Sequence, residues 1–147
     1  MPNVRNLNKD KYNISKNRFR ELYYLCLQYD ELQQELKEKR DALKSTQFSG
    51  MPSSRIRGNP TENIGIECAE ISKKCSAIEQ AARQADPELH EYIFFAATHE
   101  NITFNYLKMK KNIPCERDRY YSSRRKFYYY LNQKLKSGET DSKEEQK

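Results

Sequence analysis

The sequence predicts an all-α protein: a long coiled-coil helical hairpin followed by a small C-terminal helix-turn-helix domain. Three observations carry that expectation. Apolar residues make up only 36% of the 147-residue chain and charged residues 33%, with a mean hydropathy of −1.10. So little apolar material cannot fill a thick layered core, but it can line the seams of amphipathic helices. Trp is absent, there are only 4 glycines, and no run reads as alternating strands. Two long segments instead repeat apolar residues in steps of three and four, the rhythm of helices that share a seam.

Residues 1–14 are polar and without period, and read as a flexible arm. Ser15 suits the N-cap of a helix to about Ser45, with the seam Leu22, Leu25, Tyr29, Leu32, Leu36 and Leu43 and Lys39 in the one vacant slot. Over 46–59 the pattern collapses into a loop with Gly50, Pro52 and Gly58. Asn59 as cap, Pro60 at the first helical position and Glu62 three after the cap open the next helix. Its seam, Ile64, Cys68, Ile71, Cys75, Ile78 and Ala82, matches the first in period. The two pair most economically as an antiparallel hairpin over 15–85, either within one chain or between two copies.

Asp86-Pro87-Glu88 repeats the cap-then-proline signature and opens a third helix with Leu89, Tyr92, Ile93, Phe95 and Ala96, ending near Thr98-His99. A C-terminal domain over 86–136 follows from it. Asn101 or Thr103 caps a short helix carrying Phe104 and Leu107. The segment Asn112-Ile113-Pro114 turns the chain, and a fifth helix runs from about Cys115 to Leu135, ended by Ser137-Gly138. The remainder, to Lys147, is a charged tail with no reason to fold.

The net charge of +6 is unevenly placed. Residues 1–100 hold equal numbers of acids and bases, whereas 101–136 hold ten Lys and Arg against only Glu116 and Asp118. The tail is slightly acidic. A solvated helix face mixes signs, so a one-sign block in a helix, turn, helix arrangement points to a polyanion, and to double-stranded DNA in particular. Arginine suits guanine edges, and the first turns of the second helix reach bases. Arg117, Asp118, Arg119, Ser122 and Ser123 are therefore expected at base edges. Lys108, Lys110, Lys111, Arg124, Arg125 and Lys126 are expected at the backbone. A merely solvated basic subdomain is the competing reading. The confinement of the charge and the helix spacing weigh against it. Tyr128-Tyr129-Tyr130 cannot form one stacking platform, because neighbours on a helix point about 100° apart.

The strings Ile102-Thr103-Phe104-Asn105-Tyr106-Leu107-Lys108, Ile113-Pro114-Cys115-Glu116-Arg117-Asp118-Arg119-Tyr120-Tyr121 and Arg124-Arg125-Lys126-Phe127-Tyr128-Tyr129 resemble the C-terminal domain of phage late-gene transcriptional regulators. These are the RinA- and ArpU-like proteins, whose helix-turn-helix is similar to region four of sigma factors. The Met51-Pro52…Gly58-Asn59-Pro60-Thr61 stretch extends the likeness back to about residue 50. The resemblance implies a sequence-specific DNA-binding regulator of phage or prophage late genes, phage-encoded and cytoplasmic in a bacterial host, acting near RNA polymerase. One departure is Glu116, where the family often carries Gly.

Other functions remain open at the level of sequence. A small terminase (DNA-packaging) subunit also combines coiled coil with helix-turn-helix. A protein-binding module, such as an inhibitor of a host nucleoprotein complex, would use the hairpin. RNA polymerase or another protein is the expected partner of that hairpin, and a homodimer is the alternative. No enzyme is expected: the chain shows no phosphate-cradling glycine loop, no Ser-His-Asp set and no paired carboxylates. His90 and His99 have no ligand at zinc spacing, and Cys26, Cys68, Cys75 and Cys115 read as small hydrophobes. No metal, cofactor or membrane is implied, since no stretch nears the roughly 20 apolar residues a bilayer demands.

Overall fold

In the computed structural model the chain is all-helical. The structure describes residues 12–48 and 60–144, with side chains over 12–44 and 62–137. Among them are six helices: α1 (Lys16–Leu27), α2 (Tyr29–Phe48), α3 (Pro60–Ala85), α4 (His90–Thr98), α5 (Phe104–Lys111) and α6 (Arg117–Glu144). None of the helices is long and apolar enough to cross a membrane. Residues 1–11 of the expected arm, 49–59 of the expected loop and 145–147 of the expected tail lie outside the described residues.

Ser15 caps α1 as its sequence suggests, its Oγ accepting the Arg18 N–H at 3.1 Å. The single helix expected to about Ser45 is interrupted at Gln28. There the backbone leaves helical ψ (φ −84°, ψ 0°) and the Gln28 N–H is shared between the Tyr24 and Leu25 carbonyls. Leu32 N–H then bonds the Gln28 carbonyl at 2.8 Å, so the break is a local tightening and not a loop. It falls where the helix changes partners. α1 lies against α4 and α6, whereas α2 lies along α3.

α2 and α3 run antiparallel, because Tyr29 meets Glu79 while Lys39, further on in α2, meets Glu67, further back in α3. Between them Leu36, Cys68, Ile71 and Cys75 are buried, with Leu32, Leu43 and Ile64 half-buried beside them. Lys39 occupies its seam slot without burying its ammonium, which reaches the edge of the interface to pair with Glu67 and, at 3.6 Å, with Glu35.

The larger core ignores the boundary expected between residues 85 and 86. It joins Phe19, Leu22 and Cys26 of α1 to Ala77, Ile78, Ala81 and Ala82 of α3 and to Leu89 and Ile93 at α4. Leu107, Ile113, Tyr120, Phe127, Tyr128 and Leu131 complete it. α3 is the axis of the molecule, touching α2, α4 and α6. Its C-terminal half therefore buries a second stripe, Ala77 and Ala81, beyond the seam read from the sequence. Tyr12 and Ile14, expected in the arm, are buried in the same core. At the other end α6 does not stop at Ser137-Gly138 but continues to Glu144. A glycine inside a helix costs only about 1 kcal/mol, too little to end one by itself.

Candidate nucleic-acid interface

The basic block is built from α5, a turn and the first half of α6. Thr103 caps α5, its Oγ accepting the Tyr106 N–H at 3.1 Å. Lys108, Lys110 and Lys111 occupy the last turn, where the helix dipole favours cations. Asn112 then takes a left-handed conformation (φ 53°), one that asparagine tolerates better than most residues. The N–H groups of Asn112 and Ile113 both donate to the Leu107 carbonyl. Leu107 and Ile113 are 0% and 1% exposed, so the turn is anchored from beneath by two side chains. Burying each such side chain contributes roughly 1.5–3 kcal/mol. The rings of Phe104 and Tyr120, 5.8 Å apart, tie α5 to α6.

On α6 the inward face is Tyr120, Phe127 and Leu131, with Tyr128 adjoining, all at most 1% exposed. Burial pushes the Tyr120 hydroxyl up to about 12. It also raises Tyr128, whose hydroxyl has no hydrogen-bond partner. At about 100° per residue, the direction opposite Tyr120 and Phe127 belongs to Asp118, Ser122, Arg125 and Tyr129. Asp118 and Arg125 are exposed and Ser122 half-buried, while the ring of Tyr129 lies 5.7 Å from that of Tyr12. Lys126 is exposed beside this stripe. Arg117 is exposed at the start of α6, its guanidinium 6.0 Å from the Tyr121 ring.

Two residues expected at base edges face elsewhere. Ser123 is 4% exposed and donates its hydroxyl to Asp86 Oδ2 at 3.0 Å, which leaves it no surface to offer a partner. Arg119 forks onto Asp86, with Nε to Oδ2 and Nη2 to Oδ1 both at 3.2 Å, and reaches Glu88 at 2.8 Å. A phosphate or base would have to displace two carboxylates to use it. Arg124, expected at the DNA backbone, is half-buried with its guanidinium 5.4 Å from the Tyr128 ring. Of the other expected residues, Asp118 and Ser122 lie in the outward direction of α6, Arg117 is exposed on the side of Tyr121, and Lys108, Lys110, Lys111, Arg125 and Lys126 are exposed. Arg125, assigned to the backbone from the sequence, lies on the same stripe as Asp118 and Ser122. Counting 100° steps from those two would have found it.

Asp86, by its sequence a helix cap alone, has a second role in the fold. It does cap: its Oδ1 accepts the N–H groups of Glu88 and Leu89 at 3.1 and 3.3 Å, although the regular helix begins only at His90. Its carboxylate also receives Arg119 and Ser123, which fixes the first two turns of α6 against the α3–α4 corner. Burial alone would raise the Asp86 carboxyl. Hydrogen bonds from Arg119, Ser123 and the Leu89 N–H, with the charge of Arg119, outweigh it and hold the group below its ordinary 3.8. Nothing in local spacing announces partners 33 and 37 residues away.

No group of three or more His, Cys, Asp or Glu among the described residues is placed to hold a metal ion. No protein-family model matches the chain, and neither a curated protein nor a solved structure matches it. Among the described residues the fold is all-helical, with the excess positive charge gathered on the short helix α5 and along α6.

Proposed function

We propose that the chain is a sequence-specific DNA-binding regulator of transcription. In this reading α5, the Asn112–Glu116 turn and α6 act as a helix-turn-helix, and α2 with α3 forms a coiled-coil hairpin. The observation that carries it is the outward stripe of α6, Asp118, Ser122 and Arg125, with Arg117 and Lys126 beside it and Lys108, Lys110 and Lys111 on the adjoining helix. A helix lying in the major groove presents such a face to base edges. Arg117 and Arg125 suit guanine O6 and N7, Asp118 suits the cytosine amino group, and Ser122 accepts either role. The lysines serve phosphates, which position the protein without reading sequence. Arg119 and Ser123 are left to orient α6 through Asp86.

The likeness of the basic block to phage late-gene regulators supports a role in late-gene control near RNA polymerase, in the cytoplasm of a bacterial host. The hairpin is the element for a protein partner, because it carries no net excess of cations and leaves Ile66 52% exposed. Selection of bound fragments from a random duplex pool at two salt concentrations tests the reading. Recovery of one short sequence, enriched more strongly at the higher salt, is expected. Recovery of unrelated fragments at both would overturn sequence-specific binding.

A further inference from the structure

Beside the duplex-reading face, α4 and α5 bring together a second kind of surface. The imidazole of His99 stacks on the ring of Phe95 at 4.2 Å and 27°, and Phe95 lies near-parallel to Tyr106 at 6.4 Å and 13°. His99 and Tyr106 are exposed, and Phe95, the ring that each of them neighbours, is half-buried in the core. The ammonium of Lys111 sits 4.5 Å from the Phe95 centroid. Lys108 and Lys110 flank Met109, which at 81% is the most exposed of the large apolar side chains among the described residues. None of the three lysines has a carboxylate within ion-pair distance among the described residues.

We propose that this row of rings and the lysines of α5 form a stacking site for unpaired nucleobases, that is, for single-stranded nucleic acid. Planar rings, two of them exposed, beside lysines that no carboxylate neutralises, supply the two interactions a single strand needs: a π-face for each base and positive charge for each phosphate. In a duplex the base faces are already covered by their neighbours, so the rings have nothing to offer there, and the lysines alone would serve its phosphates. An acidic peptide would use the lysines but would gain nothing from parallel rings. The tyrosine run on α6 does not compete for the role. Tyr128 is buried, Tyr129 lies against Tyr12, and Tyr129 and Tyr130 meet edge-on at 63°.

The test uses the full-length protein and fluorescence anisotropy with labelled oligo(dT) of about 12 nucleotides, a length that spans one such site. Tyr106→Ala and His99→Ala are each expected to weaken oligo(dT) binding by about tenfold or more, as loss of one stacked base does. Tyr106→Phe should restore it, and binding to a fully paired duplex should be unchanged. The His99 imidazole also bonds the Phe95 carbonyl at 2.9 Å, so Tyr106 provides the variant that leaves this helix end intact. The proposal falls if both alanine variants bind oligo(dT) like the unsubstituted protein. It falls equally if that protein does not bind oligo(dT), or if an oligoglutamate of equal charge displaces the oligo(dT) as well as unlabelled oligo(dT) does. Failure of the duplex reading is separate: it would show as absent duplex binding with the Tyr106-dependent oligo(dT) binding retained.

Discussion

At the scale of single residues, Asp86 does most to decide which surface the protein presents. One carboxylate ends the α3–α4 corner by accepting two backbone N–H groups, and the same two oxygens hold Arg119 and Ser123. The side chain of Asp86 is 13% exposed and that of Arg119 is 44%, so water screens the ion pair more than it screens the bonds to Ser123 and the backbone. Asp86→Asn is therefore expected to lower stability by roughly 1–3 kcal/mol at neutral pH. The folded-state carboxyl titrates below 3.8, so its contribution is complete above that pH and is lost as pH falls through the depressed value. Urea unfolding of both proteins should give a difference that shrinks below about pH 4. A difference independent of pH would mean that the charge of Asp86 plays no part.

At the scale of elements, α6 divides its arginines between two tasks. Arg119 is spent on the corner, Arg124 lies half-buried near the Tyr128 ring, and Arg117 and Arg125 remain on open surface. Arg125→Ala should weaken binding to the selected duplex by about 1–3 kcal/mol and relax the preference at one base position. Arg119→Ala should leave that preference unchanged once folded protein is matched by circular dichroism. Equal losses of preference would return Arg119 to the base-reading set. The inward positions of α6 were legible beforehand, because Tyr120, Phe127 and Leu131 repeat at helical period and burial follows period. The positions of Arg119 and Ser123 were not, since a helix's own sequence shows which residues are polar but not which of them find a carboxylate elsewhere in the fold. The break at Gln28 escaped for a similar reason: the apolar rhythm continues through it, and only the change of partner from α6 to α3 explains it.

At the scale of the whole molecule, the seam of α2 and α3 could be read in advance, as could the capping of α1 by Ser15; for α5 the sequence offers Asn101 and Thr103, and Thr103 is the cap. The sharing of one core by α1, the end of α3, α4, α5 and α6 could not. Leu22 and Leu25 read as the start of a hairpin seam, and only the folded chain shows that Leu22, with Phe19 and Cys26, faces Tyr128 and its neighbours, the Phe19 and Tyr128 rings lying 4.9 Å apart. This arrangement backs the basic block with the shared core, while α2 and α3 together hold nine acidic residues against seven Lys and Arg. The charge distribution is also where the functional reading is most exposed to test. The measurement is the affinity for the selected duplex over a range of salt concentrations, for the unsubstituted protein and for Lys108→Ala/Lys110→Ala/Lys111→Ala. Each phosphate neutralised contributes about −0.9 to the slope of log K against log salt. DNA binding through this block predicts a steep slope for the unsubstituted protein, made shallower by about 2–3 in the triple variant. A slope near zero, or one that the three substitutions leave unchanged, would contradict it.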